Sequence, residues 1–422
     1  MTKSKFYYWR KLKSSEIRER VMKALDENVD FENNELIGVP ASHLDPKVFN
    51  SGSPLLKDAP FLNSLVRNPN HIGCHTLGTS EPFFKGTQEI EKELIEICAV
   101  DILEAERESC DGYVAAGGTE ANIQAIWIYR NFFKRERDAS NDQIAVVCSS
   151  DAHYSMYKAA DLLNLDIELI PVDESNRSLQ RQEICQKLGD LKKNGKKYLI
   201  VVANMMTTMF GSVDDPDLYI DCIKDVGLEF RMHVDGAYGG FLHPFMCDEN
   251  KLSFKNPHID SITLDAHKLV QAPYGTGMFI ARKGLMKYVY TEQAQYVKGL
   301  DATLSGSRSG ANAIAVWMIL STYGPHGWFE KNQMLMMRTN WLCEKLDDLG
   351  LYYYRNPTAN IVTLKAIPEI RKLADRFGLV PDSHGDSARW LKIVVMEHVT
   401  LDKLANFLTA LRPLVKPSEA VV

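Results

Sequence analysis

Short apolar, β-branched runs alternate along this chain with longer stretches in which apolar residues recur at three- and four-residue steps. QIAVVCS (143–149), DIELIPV (166–172), YLIVVANM (198–205), FRMHVD (230–235), DSITLD (260–265) and GMFIAR (277–282) have the length and composition of strands. The intervening stretches 155–164, 178–193 and 216–226 read as helices that cross from one strand to the next. Such alternation predicts an α/β fold, with a mostly parallel sheet covered by helices on both faces. Two amphipathic helices, over 87–107 and 119–137, precede and enter this region. Past about residue 310 the pattern changes to long helices over 309–323 and 327–349. Strands NIVTLKAI (360–367) and WLKIVVME (390–397) follow, with a closing helix near 400–412 begun by Thr400. The organisation expected is an N-terminal arm or helical segment over 1–60, a large α/β domain over 61–308, and connecting helices with a small C-terminal α/β domain over 309–422.

Composition narrows the partners. A chain of 422 residues that is 45% hydrophobic can build one large core and a second, smaller one. Its net charge of −6, with both signs interspersed, argues against nucleic acid or an anionic membrane as the main partner and leaves small molecules. The eight cysteines are scattered without a C-x-x-C, the usage of a reducing compartment. The first residues contain no apolar leader core, and no later run approaches the length of a membrane span, so a cytoplasmic protein is expected.

Candidate chemistry gathers at strand ends. In AAGGTEANIQ (115–124), Gly117 and Gly118 permit close backbone approach, Thr119 can cap, and the helix that follows offers its positive end to an anion such as phosphate. It is not a P-loop, since no Gly-Lys-Ser/Thr follows. His153 directly follows a strand, and taken alone a structural histidine explains it as well. Asp235 ends the strand before the turn GAYGGF, where a turn aspartate would also fit. His233, Asp235 and His243 lack a convincing metal-ligand spacing, so no metal is expected. Lys268 ends the strand DSITLDAHK. In a parallel sheet, 153, 235 and 268 converge on one edge. A lysine that attacks a carbonyl must be neutral, and a nearby aspartate needs a positive partner. Pyridoxal phosphate meets both demands, with its aldehyde for the lysine and its protonated ring nitrogen for the aspartate, and its phosphate requires a cradle such as 117–119.

The ordered set GGTEAN (117–122), DAHYS (151–155), TTMFGSVDD (207–215), HVDGAYGG (233–240), LDAHK (264–268) and TLSGSRSG (303–310) resembles the pyridoxal-phosphate-dependent group II amino-acid decarboxylases. Length and the ending IVVMEHVTLDKLANFL (393–408) are most similar to the archaeal-type tyrosine/aspartate decarboxylases, and the resemblance spans roughly 85–420. It implies a fold-type I transferase-like architecture and a homodimer with active sites at the subunit interface. It also implies that Lys268 is the Schiff-base lysine and Asp235 the partner of the ring nitrogen, with His153 stacked on one ring face and Ala237 on the other. Gly117, Gly118, Thr119 and His267 are implied as phosphate contacts, with Thr207 or Thr208 near the ring hydroxyl. Gly236 stands where many relatives have alanine.

The resemblance further implies that Tyr296, in the loop 291–308, returns a proton to Cα after CO2 leaves. Arg308 either holds a carboxylate or braces that loop. His71, His75 and Phe83, with Phe84, occupy the stretch where relatives place substrate-pocket residues, and dimer packing explains them equally. The expected reaction is decarboxylation of an L-amino acid, acidic ahead of aromatic. A carbon–carbon lyase of the sphingosine-phosphate-lyase type, which shares GGTE, HK and GSR, is the alternative.

Overall fold

A continuous apolar strand belongs in the middle of a covered sheet, and the strands of this chain are placed there. The computed structural model describes residues 7–28, 52, 82–291, 300–383 and 388–415. Helices α1 (Ser14–Asp26) and α2 (Lys85–Glu96) lead into strand β1 (Cys110–Ala115) and helix α3 (Gly118–Glu136). Then follow β2 (Ile144–Ser149), α4 (Ser155–Leu163), β3 (Asp166–Ile170), α5 (Arg181–Lys193), β4 (Tyr198–Asn204), α6 (Pro216–Val226) and β5 (Glu229–Gly236). Strands β6 (Ile259–Asp265) and β7 (Gly277–Arg282) complete a seven-stranded sheet of order β1-β7-β6-β5-β4-β2-β3. Only β7 runs against its neighbours, so β1 points the same way as the parallel strands.

Ile144, Val146 and Cys148 pack into one core while Ala145 and Val147 pack into the other. Both faces of β2 are therefore buried, which explains an unbroken apolar run where a half-exposed strand would alternate. Helices α3 and α4 cover the first face, and α5 and α6 the second.

Helix α7 (Gly310–Asp348) is broken where two helices were expected. Gly324 has φ 63° and Pro325 follows, so the carbonyls one turn earlier lose their helical donors. The N-terminal segment supplies substitutes: Trp9 Nε1 donates to Leu320 O (2.7 Å) and Leu12 N to Ser321 O (2.8 Å). The second half of α7 packs on a separate antiparallel sheet with strands β8 (Tyr353–Tyr354), β9 (Ile361–Lys365), β10 (Val380–Pro381) and β11 (Trp390–Val394), and with helices α8 (Pro368–Phe377) and α9 (Leu401–Leu411). Thr400 caps α9 as expected, its side chain accepting from Lys403 N.

Three details differ from the sequence reading. The helix expected over 87–107 ends at Glu96 and runs on to Ile102 as a wider π-helical turn. Thr119 is not a cap, because α3 already begins at Gly118 and the Glu120 carboxylate folds back to accept from Ala116 N (2.9 Å). A disulfide joins Cys185 on α5 to Cys222 on α6; the packing of these helices, rather than cysteine spacing, brings the pair together. Among the described residues no helix is long and apolar enough to cross a membrane.

Candidate active site

The C-terminal ends of β1, β2, β4, β5 and β6 open onto one edge, where an open α/β sheet binds ligands. His153, Asp235, Ala237, Thr207 and Lys268 line a single recess there, so the expected convergence is present. The Asp235 carboxylate is buried at the end of β5 and accepts from Ala237 N (3.1 Å) through one oxygen and from Asn122 Nδ2 (3.0 Å) through the other. His153 stands across the recess with its Nδ1 2.8 Å from Ser155 Oγ, and burial lowers the pKa of its ring. Thr207 is buried and its hydroxyl pairs with Ser212 Oγ (2.7 Å), which fixes the turn that carries Thr208.

Lys268 follows β6 by one turn, with its Nζ 3.4 Å from the buried carboxylate of Asp265. Asp265 also accepts from Gly118 N (3.2 Å), at the start of α3, and its other oxygen lies 2.8 Å from His267 Nδ1. That last contact is close but off the ring N–H direction, and among the described residues neither atom has a hydrogen-bond partner. Burial raises the Asp265 carboxyl pKa and lowers that of His267, against the pull of their opposite charges. Of the two glycines, Gly118 is the tightly enclosed one. A Cβ on Gly118 would lie 3.0 Å from Ala237 Cβ and 3.1 Å from Asp265 Oδ2, and one on Gly117 would reach His267 Cε1 at 3.6 Å. Glycine turn, His267 and Lys268 therefore sit together at the positive end of α3.

Not every expected residue joins this group. Arg308 is buried in a two-point pair with Glu91 (Nη2 to Oε2 3.0 Å) and also donates to Val114 O (3.1 Å). Glu91 in turn accepts from Val114 N (2.7 Å). Of the two roles expected for Arg308, bracing is the one this geometry fits, and a direct substrate contact is not. Phe83 packs against Phe84 and does not line the recess. His71, His75 and Tyr296 lie outside the described residues.

Three residues at the site escaped the sequence reading. Asn122 is a buried polar group whose partner Asp235 lies on a distant strand, and Asp265, three residues before Lys268, also takes Gly118 N from the start of α3. Lys392 carried a signal, as a lysine within the apolar strand WLKIV. It crosses from the small sheet to donate to Thr208 O (2.9 Å), and its pKa is lowered by burial and by the neighbouring Lys268.

Comparison with known proteins decides the family. Residues 88–346 match the pyridoxal-dependent decarboxylase conserved domain. The chain belongs to the pyridoxal-dependent decarboxylases. It is 48% identical over 405 residues to the tryptophan decarboxylase of Clostridium sporogenes, covering 96% of this chain and 97% of that one. It is 31% identical over 379 residues to a probable L-tyrosine/L-aspartate decarboxylase of Methanocella arvoryzae, covering 85% and 95%. Among solved structures, the Oryza sativa TDC with PLP and tryptamine superposes with a TM-score of 0.70 at 16% identity, over 98% of this chain and 100% of that one. The fold is thus fold-type I, the cofactor pyridoxal phosphate, and the enzyme a carboxy-lyase acting on an amino acid. This sets aside the carbon–carbon lyase alternative.

Proposed function

We propose that this decarboxylase acts on an aromatic L-amino acid, with tryptophan the first candidate, and releases the arylalkylamine and CO2. The observation that carries this is near-full-length similarity at 48% to a tryptophan decarboxylase, against about 30% to relatives named for aspartate. Electrostatics favours the same reading and displaces the acidic preference drawn from sequence. Among the described residues, Lys268 lines the recess and Lys392 is anchored beside it on Thr208 O, while Arg177 pairs with Asp151 and Arg308 with Glu91. With Lys268 assigned to the cofactor, Lys392 is the cation available for the carboxylate that every amino acid carries, and among the described residues no further lysine or arginine lines the recess.

In this reading Lys268 would hold the cofactor through its aldehyde, and Asp235 would keep the ring nitrogen protonated. His153 and Ala237 cover the two ring faces. The first turn of α3, with Gly117, Gly118, Thr119 and His267, takes the phosphate, and Thr207 borders the ring hydroxyl. The bound cofactor withdraws electrons from Cα so that its bond to the carboxylate can break. Lys392 holds that carboxylate, and Tyr296 delivers the proton that replaces it. Exposed rings at Tyr154 and Tyr274, beside His153 and His267, favour a homodimer whose partner covers this edge. The five free cysteines among the described residues fit a cytoplasmic setting, and the Cys185–Cys222 bond runs counter to it.

The test is mass spectrometry of products from cofactor-loaded protein incubated with aromatic, acidic, imidazole and basic L-amino acids. Tryptamine formed fastest is the expected result. An amine from aspartate or glutamate formed faster than any aromatic amine would overturn the substrate assignment.

A further inference from the structure

Behind the recess lies a chain of buried polar groups whose hydrogens can be assigned in one direction. The Asp235 carboxylate can only accept, so the contact at 3.0 Å requires Asn122 to present its Nδ2 amide there. The same amide nitrogen donates to Ser155 Oγ (3.0 Å). The Ser155 backbone N–H donates to His153 Nδ1 (3.3 Å), so that nitrogen accepts, Ser155 Oγ directs its own proton there (2.8 Å), and the His153 ring proton lies on Nε2. On its other side Asn122 Oδ1 must accept, and the group facing it at 2.9 Å is His233 Nε2. His233 therefore carries its proton on Nε2, and its Nδ1 accepts from Ser261 Oγ (2.7 Å). Thr263 Oγ1, 3.1 Å from the same Nε2, shares that proton as an acceptor. Burial holds the His233 pKa down to about 4, in keeping with a neutral ring.

We infer that Asn122 is a positioning residue that joins the two groups flanking the cofactor ring, orienting the Asp235 carboxylate and fixing the ring tautomers of His153 and His233. Asn122 sits on α3 one turn after the glycine cradle. One helix thereby sets the phosphate site, the carboxylate and the stacked imidazole relative to one another. The inference rests on the cofactor reading for what it accomplishes, but the tautomers are properties of the chain and are read without turnover.

The experiment is long-range 1H–15N correlation on full-length protein labelled at histidine nitrogen, with cofactor bound and after its removal. Both His153 and His233 are expected to show a protonated Nε2 and a bare Nδ1. The isosteric Asn122→Asp removes the two donors and turns an anion toward Asp235. It is expected to shift His233 toward its doubly protonated form, to disturb the His153 signal, and to weaken cofactor retention about tenfold or more, with kcat falling more than KM. Ser155→Ala cuts only one branch and is expected to change His153 and leave His233 as it was. Unchanged signals at both histidines in Asn122→Asp would overturn the inference. If that variant does not fold, Asn122→Ser is used in its place, and unchanged signals at both histidines there overturn the inference alone. Altered tautomers in the variant, with no decarboxylation of any amino acid by the unaltered cofactor-loaded protein, would preserve the network and reject the proposed reaction instead.

Discussion

Two lysines meet this sheet edge from different parts of the fold. Lys268 lies within reach of the buried Asp265, whereas Lys392 arrives from another sheet and is anchored by a backbone carbonyl. In the proposed reading its ammonium is the point charge that meets the substrate carboxylate. A charge-assisted contact of this kind is worth roughly 1.5–3 kcal/mol, so Lys392→Met is expected to raise KM for the amino acid by about 10- to 100-fold with a smaller change in kcat. Steady-state kinetics checks this, and an unchanged KM would remove Lys392 from substrate binding. Lys268, Asp235 and His153 were legible in the sequence because each ends an apolar strand, where a charged or polar residue is conspicuous. Asn122 was not, since an asparagine within an amphipathic helix looks solvent-facing until the helix is packed.

At the scale of elements, the central strands β2, β4 and β6 were legible because both of their faces are buried and their runs are continuous. Strand β1 was missed: CDGYVA opens on Cys-Asp-Gly and is short of β-branched residues, and its place in the sheet comes from pairing with β7. Gly112 shows why the pairing demands that composition, because a Cβ there would lie 2.5 Å from Phe279 O. The break in α7 was legible from Gly324-Pro325, whereas the Trp9 and Leu12 contacts that satisfy it come from three hundred residues away. Helix α8 was missed although Ile370, Leu373, Ala374 and Phe377 recur at helical spacing between Pro368 and Gly378, whereas the two-residue strands β8 and β10 are held by the small core rather than by their own pattern.

The molecule as a whole carries its histidines in a way that sets its response to acid. His243 is buried against Thr358, where the large sheet meets the small one, and burial lowers its pKa to about 4; His233 is held down similarly. A histidine depressed in the folded state binds its proton more readily when unfolded. Its contribution is complete above about pH 6.5 and is lost as pH falls toward 4, on the order of 3 kcal/mol for each ring. Asp214 acts in the opposite sense, since burial raises it to about 7 and ionising it costs stability as pH rises from about 4 to 7. His243→Gln is therefore expected to flatten the loss of urea resistance between pH 6.5 and 4.5, compared with the unaltered chain. Identical slopes for both proteins would mean that His243 is not neutral and buried in solution.

The central claim, that one sheet edge presents Lys268 to the cofactor with Asp235 and His153 around the ring, is tested most directly by covalent trapping. Cofactor-loaded protein is reduced with borohydride, digested and sequenced by mass spectrometry. The phosphopyridoxyl mass is expected on Lys268 alone, and Lys268→Ala is expected to yield no modified peptide and no visible absorbance of bound cofactor. The same mass on a different lysine, or visible absorbance retained in Lys268→Ala, would contradict it.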